Sequence, residues 1–524
     1  MRVLLVEPKV RKFSDKAQIR AKEIENKKRK RPDDESLWYP PLGLMKLSTF
    51  HKSRKDEVKF VIGKDNDSFQ IQDLFSAGIL WDRIYISTLF TFQWKETIET
   101  INFYKTAVGG SIHKIFVGGI MASLMQEEIF EETGVEPIAG ILDSPKRINL
   151  DGNENIDALA PDYSLLDSNL YATNDTFYAY TTRGCTRRCP WCGVPIIEPD
   201  YVPYIDIKEM IGGLRESYGD KPRLKLMDNN VLASPHLEKI VEDLVFLGYG
   251  RDQFTNTSPK RQRVIDFNQG LDARYLNEEN MKLLKQLNIR PMRIAFDNVK
   301  DKEAYTKAVR LAHKNGVKEF SNYMIYNFND TPEDLYERLS INIKLNQEWG
   351  KGAGEAEGQI YSYPMRYAPI KSRYDGESTQ SRDYVAPNEP EDQWISWTKR
   401  ATRNIEVMKG AAFGAISPTP MLAWRTIGRD YKEFIANLHM PEELLRNRNK
   451  HEREVYKEEP DRTAGTGLVE QFRSFFWKLF EEHPEEAKEF RRAVGENSTA
   501  AIRAYLHRCK NEEVKKWLDY YLMK

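Results

Sequence analysis

The sequence predicts an α/β protein of three parts: an N-terminal doubly wound parallel sheet over residues 1–150, a central β/α barrel over 177–370, and a mainly helical domain over 394–524. Three observations carry this. Short apolar runs alternate with helix-length segments through the first 150 residues, the same alternation resumes after Phe177, and apolar residues recur at helical spacing beyond Trp394. The 524 residues exceed what a single core supports. Lys+Arg and Asp+Glu are both 79, so no net charge advertises nucleic acid or a membrane surface as a partner. No run has the length of a membrane span, and the opening Met1-Arg2-Val3-Leu4-Leu5-Val6-Glu7-Pro8 reads as a first strand rather than a leader; the expectation is a soluble, cytoplasmic protein with no membrane partner.

In the first part the candidate strands are 3–6, 58–62, 83–87, 114–117 and 136–139. Ligands of such sheets sit at the carboxyl ends of the strands, which here offer Glu7-Pro8, Ser87-Thr88, Gly118-Gly119 and Gly140. Glycine there lets a bulky group approach the backbone; it serves ordinary strand-to-helix turns equally. Residues 16–36 form an insertion ending in Lys27-Lys28-Arg29-Lys30-Arg31, a solvated cationic run or an attractor for a phosphate-bearing substrate. Residues 151–176, with Ala160-Pro161-Asp162-Tyr163, read as a linker.

The central part begins with the densest chemical signal, Thr181-Thr182-Arg183-Gly184-Cys185-Thr186-Arg187-Arg188-Cys189-Pro190-Trp191-Cys192-Gly193, which holds three of the four cysteines. So few cysteines, so placed, argue for a reducing compartment. Three thiolates on one short loop suit three irons of a [4Fe–4S] cluster, with the fourth iron left open. A zinc site would need a fourth nearby Cys or His, and Cys509 is more than three hundred residues away; three buried, inert cysteines are the remaining alternative. Downstream strands are expected at 223–227, 265–268, 293–296, 320–326 and 360–363, with helices at 234–246 and 277–287. Polar residues follow them: Asp228-Asn229-Asn230, Asn268-Gln269-Gly270 with Asp272 and Arg274, Asp297-Asn298, and Asn327. Each alone serves as well for a helix N-cap; in series they favour a shared ligand. Thr331-Pro332-Glu333-Asp334 reads as a Thr N-cap with Pro at the first helical position, hence structural.

Residues 371–393 are polar and turn-rich, a surface connection. Helices are then expected at 394–408, 431–438, 441–448, 468–482, 484–494 and from 499 on, with the aromatics of 468–480 forming a core face and Cys509 partly buried.

The cysteine spacing, with Arg183-Gly184 before Cys185 and Trp191 before Cys192, resembles the cluster loop of the radical S-adenosylmethionine (SAM) superfamily. Trp38-Tyr39-Pro40-Pro41-Leu42-Gly43-Leu44-Met45-Lys46-Leu47 and Val117-Gly118-Gly119 look like the Rossmann-like cobalamin-binding domain that precedes the partial barrel in one branch of it. The resemblance implies a [4Fe–4S] cluster on Cys185, Cys189 and Cys192, with SAM chelated at the open iron. It implies SAM contacts from Trp191, Asp228, Asn229, Gln269, Arg274, Asp297 and Asn327, and cobalamin against Ser87, Thr88, Gly118 and Gly119. Asp228-Asn229-Asn230 stands where the family often has Gly-Gly-Glu, and the chain lacks Asp-x-His-x-x-Gly, the element with which some cobalamin proteins ligate cobalt. For Arg274 an ion pair with Asp272 or Asp297 is an equally physical use. The implied activity is cleavage of SAM to a 5′-deoxyadenosyl radical, with cobalamin-dependent methyl transfer or rearrangement of an unknown substrate, and an electron donor such as flavodoxin or ferredoxin as partner. The alternatives are cobalamin-independent hydrogen abstraction and a non-catalytic Fe–S sensing or binding protein.

Overall fold

A computed structural model describes residues 1–9, 38–66, 81–108, 110–350, 357–370, 384–387, 396–410, 414–446 and 467–523. The cationic run Lys27–Arg31 and nearly all of 371–393 lie outside the described residues. The chain forms two compact units, one built from Met1–Gln269 with Lys282–Arg290, the other from Gly270–Met281, Pro291–Ser372 and Thr379–Lys524.

The first unit holds two parallel sheets. Strands β1 (Arg2–Glu7), β2 (Glu57–Ile62), β3 (Arg83–Thr88) and β4 (Ile115–Gly119) lie in the order β2-β1-β3-β4. Val3, Leu4, Leu5 and Val6 are completely buried, because β1 is central and covered on both faces, which is why its sequence runs apolar without alternation. The helix Leu42–Ser53 packs Leu44, Leu47 and Phe50 on one face beside Val3, Leu5, Tyr85 and Phe116. Parallel order reverses between β1 and β3, so a ligand crevice is expected at their carboxyl ends. The expected fifth strand at 136–139 is reduced to a single bridge between Ile138 and Gly118: Pro137 has no N–H to give a ladder.

Strands β5 (Thr176–Ala179), β6 (Arg223–Leu226) and β7 (Val264–Phe267) form the second sheet, in that order and all parallel. The helix Lys208–Tyr218, not expected from the sequence, crosses from β5 towards β6. The helix expected from Ser234 starts at Leu237, because Val231–Ala233 first makes a 3₁₀ turn and Ser234 Oγ accepts from the His236 N–H at 3.0 Å.

In the second unit β8 (Met292–Ala295), β9 (Glu319–Tyr326) and β10 (Gln359–Arg366) form a parallel sheet in the order β10-β9-β8. The helix Pro332–Glu348 starts as its sequence predicts, with Thr331 as N-cap and a capping box closed by Asp334. The helices Lys399–Gly410, Pro420–Ile427, Tyr431–His439, Glu442–Arg446, Leu468–Glu482, Pro484–Gly495, Thr499–Arg508 and Glu512–Leu522 follow. Pro420–Ile427 was not anticipated. Phe472, Phe475 and Phe476 are buried, the first two packing with Trp517 and the third with Phe472, so the aromatics do form a core face. The last helical stretch breaks at Asn511, whose side chain caps Glu512–Leu522, and Cys509 beside the break is buried. Among the described residues no helix is long and apolar enough to cross a membrane.

Candidate functional site

The four residues of β5 are all buried and deliver the cysteine loop at the strand's carboxyl end. Thr181 and Thr182 converge on one oxygen of Asp228, which lies just beyond β6. Oδ1 accepts from the Thr181 N–H at 2.9 Å, its hydroxyl at 2.7 Å, the Thr182 hydroxyl at 2.8 Å and the Thr182 N–H. Asp228 thereby ties the exits of two neighbouring strands together. Its other oxygen, Oδ2, is buried without a hydrogen-bond partner, and burial pushes its carboxyl above the usual range against those four bonds.

Arg183 pairs with Val202 in a short antiparallel bridge. Its guanidinium lies 3.3 Å from the ring centre of Tyr180, donates from Nε to Asp157 at 3.0 Å and from Nη1 to Glu198 Oε1 at 2.8 Å. Lys46 of the helix Leu42–Ser53 completes the group, 2.9 Å from Asp157. Burial works against the Asp157 charge, but Lys46 and Arg183 outweigh it and hold the carboxyl below its usual range. Glu198 Oε2 accepts from the Gly184 N–H at 2.6 Å and from Asn229 Nδ2 at 2.9 Å. Gly184 has φ +71°, and a Cβ there would stand 2.3 Å from the Asp200 carbonyl oxygen, so only glycine fits immediately before the first cysteine.

Cys185, Cys189 and Cys192 are each half-buried, as is Trp191 between the second and third of them in sequence. The Cys185 sulfur accepts from the Arg187 N–H at 3.3 Å and from Asn230 Nδ2 at 3.5 Å. Among the described residues no three His, Cys, Asp or Glu side chains gather as a metal ion's ligands would. A cluster that bonds each thiolate to a different iron does not require all three to meet at one point. Asn230 Oδ1 is buried without a partner, as is Asp228 Oδ2. A buried acceptor left unmade costs about 1–3 kcal/mol. Two of them on residues two apart in the segment after β6, one belonging to a residue that touches Cys185, suit a ligand that brings hydrogen-bond donors, as the amino group of SAM does.

The structure assigns the other expected SAM residues as follows. Asn229 is held by Glu198. Gln269, following β7, is exposed in the first unit. In the second unit Arg274 takes the ion-pair role, bidentate to Asp272 at 2.7 and 2.9 Å. Asp297 accepts from the Ile325 N–H at 2.8 Å, tying the end of β8 to β9. Asn327 is fully buried at φ +67°, a left-handed conformation asparagine tolerates. Its amide donates to Tyr367 and Tyr384 carbonyls and accepts from the Ala386 N–H, which makes it a loop clamp. Glu198 and Asn230 are the site residues that motif reading passed over. Glu198 carries no sequence signal, lying in an unmarked Ile-Ile-Glu-Pro turn; Asn230 stands in a noted polar triplet, but only the fold shows which member faces Cys185.

At the carboxyl edge of the N-terminal sheet, Ser87 and Thr88 lie in register with Gly118 and Gly119. Thr88 Oγ1 donates to the Gly118 carbonyl at 3.0 Å and accepts from the Ala122 N–H at 2.8 Å, so it is engaged in shaping the turn. A Cβ on Gly119 would meet the Thr88 carbonyl oxygen at 2.1 Å. The same edge leaves Leu89, Phe90, Phe92 and Ile120 exposed, with the Phe90 and Phe92 rings stacked at 4.8 Å. The short helix Ile120–Leu124 that follows β4 packs against Val194–Ile197, the helix that follows Cys192. This apolar edge and the cysteine loop are thus neighbours in one unit.

Residues 179–339 match the family described as the radical SAM superfamily. No curated protein matches the chain. Among solved structures, the chain is similar to the radical S-adenosylmethionine methyltransferase TsrM from Kitasatospora setae, at 14% identity and TM-score 0.45 over 65% of this chain and 71% of that one. It is similar also to the cobalamin-dependent S-adenosylmethionine radical enzyme OxsB, at 12% identity and TM-score 0.48 over 99% of this chain and 83% of that one.

Proposed function

We propose that the chain is a radical SAM enzyme, a reading supported by the match of residues 179–339 to that superfamily, and that Cys185, Cys189 and Cys192 hold a [4Fe–4S] cluster whose open iron takes SAM. The cluster, when bound, supplies the electron that cleaves the SAM sulfonium to a 5′-deoxyadenosyl radical. The observation that carries this reading is the pair of buried, unpartnered acceptors, Asp228 Oδ2 and Asn230 Oδ1, the second on a residue whose amide reaches the Cys185 sulfur at the head of the three-cysteine loop. Asp228 holds Thr181 and Thr182 with one oxygen and keeps the other for the amino group of SAM. Glu198 and Arg183 fix the backbone on which Cys185 stands, and Gly184 lets that backbone turn past Asp200.

The exposed edge of Leu89, Phe90, Phe92 and Ile120 supports a second bound group, a large and largely apolar one such as the corrin of cobalamin, beside the cysteine loop. Cobalamin there would supply a transferable methyl group or a rearrangement partner for an unknown substrate. Against it, Gly119 and Thr88 are accounted for by their own contacts, which favours cobalamin-independent hydrogen abstraction as the second reading.

One experiment separates them. The protein is reconstituted anaerobically with iron and sulfide, incubated with hydroxocobalamin, desalted, and assayed for corrin by absorbance and for 5′-deoxyadenosine from SAM. The first reading expects one corrin per chain and SAM cleavage. Cleavage with no retained corrin selects hydrogen abstraction. If wild-type protein with a full iron complement makes no 5′-deoxyadenosine under any reductant, while Cys189→Ala changes nothing but iron content, the enzyme reading fails.

A further inference from the structure

The Cys185 sulfur receives a side-chain hydrogen bond as well as a backbone one. Asn230 Nδ2 lies 3.5 Å from it, alongside the Arg187 N–H at 3.3 Å. Asn230 is 3% exposed, and its own backbone carbonyl is held by the Tyr201 hydroxyl at 3.2 Å and the Ala233 N–H at 3.3 Å. The amide therefore projects from a fixed point. Turning it over would set oxygen lone pairs against the sulfur, so the donor end belongs there and Oδ1, which has no partner, points elsewhere.

We propose that Asn230 is a positioning residue that sets the reduction potential of the cluster and couples it to SAM. The proposal rests on the reading that Cys185 is a cluster ligand. An N–H donated to a ligating thiolate withdraws charge from the sulfur and stabilises the reduced, more negative cluster, which raises its potential. Donation from the SAM amino group to Asn230 Oδ1 would polarise the same amide and strengthen its bond to Cys185. The residue thus makes the cluster easier to reduce when SAM is in place.

The test compares wild type, Asn230→Ala and Asn230→Asp as full-length, anaerobically reconstituted proteins. Iron and sulfide are counted per chain, and the midpoint potential is read by electron paramagnetic resonance in redox titrations with and without a non-cleavable SAM analogue. Wild-type iron content is expected in both variants, since all three cysteines remain. At fixed poise the reduced-to-oxidised ratio should fall about tenfold in N230A, 59 mV for one electron. In N230D it should fall further, because a carboxylate faces the sulfur. The potential shift caused by the analogue should shrink in both. Unchanged potentials in variants with full clusters overturn the proposal. N230D keeps the shape of asparagine, so it carries the test if N230A does not fold. Loss of the cluster from both variants with an unaltered circular dichroism spectrum also overturns it, since a tuning amide is not a ligand. A wild type that assembles no cluster refutes the parent reading instead.

Discussion

Glu198 shows what a single residue contributes to the cysteine loop. It is 8% exposed, and its two oxygens serve Arg183, the Gly184 N–H and Asn229, so one carboxylate holds the residue pair before Cys185 and the turn after β6. Glu198→Gln keeps the shape but replaces one acceptor oxygen with N–H groups that face a donor. A loss of about 3 kcal/mol is expected, because the bonds involve a buried charge and one partner is left unmade. Urea denaturation of the cluster-free protein would measure it, and iron retained after reconstitution should fall in parallel. A midpoint unchanged to within about 0.5 kcal/mol, with full iron, would show that the loop does not depend on this carboxylate. At this scale the sequence was legible only where chemistry leaves a pattern. Cysteine spacing is such a pattern, and so is a glycine before the first cysteine. A carboxylate fourteen positions after Gly184 is not, because the antiparallel turn that returns it to the loop is set by the bridge between Arg183 and Val202.

Among the elements, the alternation of apolar runs located nine of the ten expected strands, and the failure at 136–139 was written in Pro137. What alternation could not say is how strand ends are joined, and in the second unit that task falls to Arg338. It lies on the helix Pro332–Glu348 with 0% exposure. Its Nη1 donates to the carbonyls of Phe296 and Asp297 at 3.1 Å each and of Ile325 at 2.8 Å, while Nη2 pairs with Asp330 at 2.6 Å. One guanidinium therefore satisfies the exits of β8 and β9 and the loop after β9. Arg338→Met fills much of the volume but strands three carbonyls and a buried carboxylate. Its expected cost is about 3–5 kcal/mol. Adding Asp330→Asn removes the stranded charge and should restore part of that loss, so the two changes should be non-additive in chemical denaturation. Strict additivity would mean the pair is not coupled. The periodic part of Pro332–Glu348 and its cap were readable from sequence; an arginine on its buried side looks, in sequence, like any surface cation.

Over the whole molecule, equal numbers of acids and bases cancel any broad charge effect near neutrality, so the pH dependence of folding comes from a few buried groups. Two of them, His439 in the second unit and Glu7 in the first, act with opposite sign. The central strands were readable one by one, yet they divide three and three between the units, and nothing in the alternation marks the break at Gln269. In the second unit His439 is 1% exposed, shares its Nδ1 proton with the Ile435 carbonyl at 3.0 Å, and has no hydrogen-bond partner at Nε2. Burial, helped by Arg491, pushes its pKa down to about 3. A histidine depressed in the fold binds its proton more readily when unfolded, so the second unit should lose stability as pH falls below about 6.5, by about 2 kcal/mol at pH 5. In the first unit Glu7, at the carboxyl end of β1, is driven up to about 7 by burial, with the Tyr171 hydroxyl donating to it and moderating the shift. Its sign is opposite: the fold holds that proton more tightly than the open chain, so the first unit should gain stability as pH falls from about 7 towards 4.5, by up to about 3 kcal/mol. The acid loss contributed by His439 and the acid gain contributed by Glu7 are read from urea midpoints at pH 7, 6 and 5, wild type against variant. His439→Phe keeps a ring of similar size against Phe476 and should flatten the loss; Glu7→Gln should flatten the gain. Curves that stay parallel to wild type in both variants would mean that neither group titrates on unfolding, and that the acid response of the chain arises elsewhere.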